Sequence, residues 1–295
     1  MAVREIPATE LEVALAAGVD LGEGPLWDDR EQVLWWVDIM VGDVHRFDPA
    51  SGNDQAIPVG EPVGAVALRE RGGLLLAVQS GFAVLEDGAI RSLAKVEADD
   101  PDTRMNDGYV DPQGRFWAGT MGMAERARVG SLYRLDQDGT VSRQLTEVGV
   151  SNGIDWSPDG RTMYFADTLT RTLDAFDFDP AAGTLSNRRR LLDFPRDGGS
   201  ADGLVVDAEG FIWAAMWGGW AVNRYTPDGE LDTVLEVPAL QVTKPAFAGP
   251  DRDVLYVTSA RRGLSDAELA EQPLAGHLFR VRPGVTGQPI QRYRG

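Results

Sequence analysis

The chain has no cysteine and only two histidines, His45 and His277, among 295 residues. The first absence removes disulfides, thiolate nucleophiles and cysteine-ligated zinc together. The second leaves little for a general base, because both histidines fall on segments that read below as third strands of a repeat, away from its axis. Ser-His-Asp and Cys-His catalysis are thereby set aside, as is a catalytic metal held by histidines. Gly198-Gly199-Ser200-Ala201-Asp202 begins like a nucleophile elbow but ends in Asp where Gly is required. Positive charge is also scarce: 28 basic residues face 46 acidic ones, a net charge of −18. A field of that sign repels phosphate backbones and anionic lipid, so neither nucleic acid nor a membrane is an expected partner. No window approaches the roughly 20 apolar residues that cross a bilayer. Residues 1–20 lack a basic start followed by an apolar stretch, and a cytoplasmic enzyme is the expectation.

What is present is a period. Apolar residues make up 43% and charged residues 25%, the balance of a globular chain. Six units recur, each with a short apolar strand, a turn and a second strand rich in aromatic and β-branched residues. The second strands include Val33-Leu34-Trp35-Trp36-Val37, Leu74-Leu75-Leu76-Ala77-Val78 and Thr162-Met163-Tyr164-Phe165-Ala166. Turn pairs such as Gln113-Gly114, Asp159-Gly160 and Glu209-Gly210 precede most of them and supply the positive φ of tight hairpins. Third strands follow, for example Leu132-Tyr133-Arg134-Leu135 and Val222-Asn223-Arg224-Tyr225, and further turns announce a fourth. The pattern predicts an all-β fold: a six-bladed β-propeller with four-stranded antiparallel blades, one domain over residues 1–295. The alternating segment Leu11-Glu12-Val13-Ala14-Leu15 is the expected outer strand of the last blade, closing the ring. Ser265-Asp266-Ala267-Glu268 has capping-box spacing and predicts a short helix in a blade-six loop.

Inner strands of a propeller line its axis, so equivalent residues at their openings form a ring. Here the ring reads Glu23, Val63, Asp107, Asn152, Asp202 and Lys244. Three carboxylates, an amide and an ammonium converging on one space are costly unless compensated. Lys244 offsets one charge and a divalent cation would offset more. The oxygens of Glu23, Asn152 and Asp202 suit calcium, magnesium or manganese, with zinc and iron left open; a merely solvated polar ring is the alternative. Asp28, Asp111, Asp159 and Asp251 fall at inter-strand turns, where Asp serves turn chemistry. Asp99-Asp100-Pro101-Asp102 lacks the downstream Gly and Glu of an EF-hand and reads as a solvated loop.

Several motifs stand in one order: Gly22-Glu23-Gly24-Pro25-Leu26-Trp27, Arg104-Met105-Asn106-Asp107-Gly108, Ala118-Gly119-Thr120-Met121, Ser151-Asn152-Gly153-Ile154-Asp155-Trp156, Ala201-Asp202-Gly203-Leu204 and Thr243-Lys244-Pro245. With them the chain resembles the SMP-30/gluconolactonase/LRE family over nearly its whole length, through Gly263-Leu264-Ser265-Asp266. The resemblance implies one divalent metal ion on Glu23, Asn152 and Asp202, with a sugar lactone held by Arg104 and Asn106. Family members carry a substrate-contacting glutamate where this chain has Ala124, and the adjacent Glu125 is the expected substitute. Trp217-Gly218-Gly219-Trp220 and the blade-six loop look closest to bacterial aldonolactonases.

The activity so implied is hydrolysis of an aldonolactone, such as a xylono-, arabinono- or gluconolactone, to the open acid. Asp202 would activate water, with Asp107 as the alternative base, and Lys244 is counted among the substrate contacts. The expected partner is a small-molecule sugar lactone, and the expected state a monomer or weak homo-oligomer. Competing readings are a propeller esterase of the arylesterase or organophosphatase kind, which the histidine poverty disfavours, and a non-enzymatic calcium-binding propeller.

Overall fold

A computed structural model describes residues 2–295; residue 1 of the expected domain lies outside the described residues. Six antiparallel sheets follow one another around an axis. Their inner strands are Gly22–Asp28, Val63–Leu68, Thr103–Val110, Ser151–Trp156, Ser200–Val206 and Val242–Ala248, of blades one to six. Each packs on the inner strands of the blades before and after it, the sixth on the first, so the ring is closed. The second strands are mostly apolar because sheets cover both their faces: Val33–Asp38 and Leu74–Val78 are buried at every residue. Aromatic side chains fill the wedges between blades. Between blades three and four, Trp117, Trp156 and Phe178 meet edge to face with centroids 5.6 to 5.9 Å apart, the arrangement their ring quadrupoles favour.

Closure occurs as the alternating segment predicts, with Glu12–Leu15 pairing antiparallel to Leu278–Val281 as the outer strand of blade six. The capping box is also formed, and Ser265 starts a helix over Asp266–Glu271. Turn aspartates hold their hairpins: Asp111 accepts from the backbone N–H groups of Gln113 and Arg115 and, through its other oxygen, from Trp117 Nε1 at 3.0 Å. No helix among the described residues is long and apolar enough to cross a membrane.

Two features had no counterpart in the repeat. Arg4–Ile6 adds to Leu231–Glu236 in parallel, giving blade five a fifth strand. Three residues carry no readable period, and only Ile6 among them is buried. The C-terminal segment crosses the end of the ring away from the strand openings and touches every blade. Gly287 N donates to Arg252 O (2.8 Å) and Gln288 Nε2 to Trp156 O (2.7 Å), and Thr286 O accepts from Ala208 N (2.9 Å). Arg292 Nη2 donates to Asp28 Oδ1 (2.8 Å), Tyr293 N to Leu68 O (2.8 Å) and Arg294 N to Gly114 O (3.0 Å).

Candidate active site

All six inner strands slip register against their second strand at one level. The shifts fall between Glu23 and Leu26, Val63 and Ala65, Met105 and Gly108, Asn152 and Ile154, Ala201 and Leu204, and Val242 and Lys244. A bulge bends its strand and re-aims the local side chain, and here each one falls at the ring residue. The glycines that follow the ring residues allow the strands to come close. A Cβ on Gly203 would stand 2.4 Å from Lys244 Cγ, and one on Gly64 would stand 2.2 Å from the Asn106 carbonyl oxygen. No side chain fits at either position.

At this level the channel opens into a cavity of about 300 Å³ lined by Glu23, Asn152 and Asp202 together with Arg104, Asn106 and Glu125. Six of the eight residues singled out from the sequence are thus brought to one cavity. The other two lie elsewhere. Lys244 Nζ donates to Asp107 Oδ1 in a buried pair, and neither residue lines the cavity. The same oxygen of Asp107 accepts from Gly108 N at 2.7 Å, while its Oδ2 has no partner among the described residues. Lys244 borders a smaller space farther down the channel with Tyr109, Asp155, Gln288 and Ile290, the last two from the C-terminal segment.

Hydrogen bonds link the lining from blade three to blade five. Arg104 Nη1 donates to Asn106 Oδ1 (2.6 Å), and Asn106 Nδ2 donates to Asn152 Oδ1 (3.2 Å). Asn152 Nδ2 donates to Thr168 Oγ1 (2.9 Å), whose hydroxyl donates to the carbonyl of Ala201 (2.7 Å), the neighbour of Asp202. The orientations of the Asn106 and Asn152 amides are each set by their neighbours in this network.

The site is short of positive charge. Burial, and then the charge of Asp107, raise the Glu23 carboxyl to about 8, with Lys244 offsetting part. Asp202 is held well above the carboxylate range by burial and by Glu23 and Asp107. Burial raises Asp155, below the cavity, to about 7. Burial lowers Arg104 to about 10, and Glu125 opposes the shift. Lys244 would be lowered by burial, but Asp107 and Glu23 outweigh that and hold it above its usual value. Glu23 Oε2 accepts from Gly24 N at 2.5 Å, and its Oε1 is buried without a donor among the described residues. Among the described residues no three His, Cys, Asp or Glu side chains are grouped to hold a metal. The trio is instead two carboxylates and an amide, and the orphaned oxygen and uncompensated charge make it a donor set that fits a hard cation.

Among the lining residues that the sequence reading gave no role in the site are three polar ones and a tryptophan: Thr168, Gln241, Arg262 and Trp217. Trp217 stood in a noted motif, and Arg262 lies beside the Gly263-Leu264-Ser265-Asp266 segment. Thr168 and Gln241 sit in connections between strands, where no period marks them.

Comparison with known proteins follows the same chain length. Regucalcin of Xenopus laevis is 39% identical over 287 residues, covering 94% of this chain and 96% of that one. The 6-deoxy-6-sulfogluconolactonase of Pseudomonas putida is 39% identical over 272 residues, 90% of this chain and 92% of that one. The crystal structure of a calcium-binding protein, regucalcin, from Agrobacterium tumefaciens superposes with a TM-score of 0.96 at 34% identity, covering 100% of both chains. The sequence profile of the SMP-30/gluconolactonase/LRE-like region matches residues 21–261. With the matches covering nearly all of its length, this chain belongs to the SMP-30/gluconolactonase/LRE-like family.

Proposed function

We propose that this chain hydrolyses the cyclic ester of an aldonic acid, and that Glu23, Asn152 and Asp202 hold one divalent cation for the reaction. The observation that carries the reading is the unpaired, buried oxygen of Glu23 beside Asp202, two carboxylates whose charge Arg104 and Lys244 offset only in part. The Pseudomonas relative that acts on a lactone, at 39% identity, supports the reaction class and the aldonolactonase branch. When bound, a divalent cation polarises the ester carbonyl and stabilises charge on its oxygen.

The chain's own residues do the rest. Arg104 and Asn106, tied to each other and to Asn152, present donors that orient the sugar hydroxyls. Glu125 reaches the same cavity from the neighbouring loop of blade three and serves as the acceptor in place of Ala124. Water adds to the carbonyl carbon, the ring C–O bond breaks, and the ring oxygen leaves as a hydroxyl. Asp202 takes the water's proton and is placed to return it to the ring oxygen. Asp202 lines the cavity and Asp107 does not, so Asp202 is the base and the Asp107–Lys244 pair sets the charge beneath it. Apolar side chains of Leu21, Met121 and Trp217 wall the cavity and keep bulk water down. The absence of cysteine fits a reducing compartment and supports the reading of a cytoplasmic enzyme.

A pH-stat assay over xylono-, arabinono- and gluconolactone tests the reading, using protein dialysed against a chelator and then given back calcium, magnesium, manganese, zinc or iron. Acid release that disappears on chelation and returns with metal is expected. Cation binding without turnover of any lactone would replace the reading with that of a calcium-binding module, which the Agrobacterium structure's description favours.

A further inference from the structure

We infer that Gln241 and Arg262 form a subsite that reads a free, uncharged hydroxyl on the part of the sugar remote from its carbonyl; the inference rests on the lactonase reading. Arg262 lies in a connection of blade six and Gln241 in the connection that leads from blade five into its inner strand; blade six stands across the ring from blade three with its Arg104 and Asn106. Both line the cavity. Gln241 is only 8% exposed, and its side-chain oxygen has no donor among the described residues. A buried acceptor without a donor costs stability, and this one borders the cavity, where a ligand hydroxyl can reach it. Arg262 supplies the complement. Its Nη1 donates to Asp20 Oδ2 at 2.8 Å and its backbone N–H to Asp20 O at 3.0 Å, so the side chain is anchored. The rest of its guanidinium makes no hydrogen bond among the described residues.

A hydroxyl donates one bond and accepts two, so it satisfies Gln241 and Arg262 at once. A sulfonate or phosphate only accepts. It would leave the Gln241 oxygen unpaired, and the positive charge here is already matched: Asp20 faces Arg262, and Glu125 acts on Arg104. A methyl group satisfies neither residue. The subsite therefore favours a neutral polyol tail over both a deoxygenated and an acidic one.

The test compares three pentono-1,4-lactones whose terminal carbon bears a hydroxyl, a hydrogen or a sulfonate, assayed with wild type and with Gln241→Leu. Wild type is expected to prefer the hydroxymethyl compound over the methyl one by about 10- to 100-fold in kcat/KM, and Gln241→Leu to bring that ratio within about threefold of unity. The sulfonate compound is expected to fall with the methyl one. Replacing an unpaired amide by an apolar side chain of similar size leaves thermal stability equal or higher. Arg262→Ala, at a half-exposed side chain, is the second variant and shifts the ratio the same way. An unchanged ratio in both variants, or a sulfonate compound turned over as well as the hydroxymethyl one, overturns the subsite while lactone hydrolysis stands. If wild type hydrolyses none of the three, the lactonase reading fails on its own. Calorimetric binding of the same compounds then decides the subsite: a hydroxymethyl preference lost in Gln241→Leu supports it, and equal affinities overturn it.

Discussion

Asn106 Nδ2 donates to Asn152 Oδ1 at 3.2 Å and so joins the side of the cavity that holds Arg104 to the side that holds Asp202. Because Asn152 spends its own N–H on Thr168, its oxygen can only face Asn106 and the cavity. The proposed substrate groups and the proposed cation groups are thus one hydrogen-bonded unit, and a change on either side is expected to be felt on the other.

Asn152→Ala is expected to abolish hydrolysis with the fold retained by circular dichroism. Thr168→Val, which touches neither cation nor substrate in this reading, frees the amide to turn. It should weaken cation affinity by about 10- to 100-fold, the usual effect of losing such a supporting bond. Unaltered affinity by titration calorimetry would remove Thr168 from the unit.

The raised carboxyls give the cation-free protein an unusual pH dependence. A carboxyl whose folded-state pKa lies above its unfolded value binds more protons when folded, so stability falls as pH rises through the interval between them. That interval runs from the ordinary carboxyl value of 4.5 to about 8 for Glu23 and from 3.8 to about 7 for Asp155. In chelator, the melting temperature should be lower at about pH 8.5 than at about pH 6. Cation binding should erase the difference and release protons, read as a buffer-dependent binding enthalpy.

Lys244 and Asp107 are nearly inaccessible, with side chains 6% and 1% exposed. Lys244→Met leaves the Asp107 carboxylate unpaired in the channel and is expected to destabilise by about 3–5 kcal/mol, measured by urea unfolding. Adding Asp107→Asn should recover part of the loss, because the uncompensated charge goes with it.

Tyr293, 2% exposed, packs into the core between blades two and three and donates its hydroxyl to Asp136 O at 2.8 Å. Tyr293→Ala should cost about 3 kcal/mol or more from lost packing alone. Faster hydrogen exchange at the backbone amides of residue 293 and Arg294, which donate to the Leu68 and Gly114 carbonyls, would confirm that the terminal segment is held to blades two and three through this side chain.

Much of the fold was legible because a propeller writes itself into the chain six times. Burial of each second strand on both faces demands an apolar run, and each tight hairpin demands residues such as Asp159-Gly160. Aligning the copies also placed Glu23, Asn152 and Asp202 together, since equivalent positions of equivalent strands share one level around an axis. The parallel strand at Arg4–Ile6 and the C-terminal segment belong to no copy, and most of their bonds run to backbone groups that any sequence offers.

By itself, then, the sequence determined the number of blades, the closure by Glu12–Leu15 and the identity of the polar ring, all consequences of periodic burial. Which ring members share the cavity was decided only in three dimensions. Asp107 and Lys244 sit in the same frame as Glu23 and Asp202, yet they pair with each other below the cavity. Gln241 and Arg262 reach it from connections whose paths depend on packing between blades five and six. Periodicity fixes the level of a residue along the axis, whereas the bulge at each strand and the charges of its neighbours fix where its side chain ends.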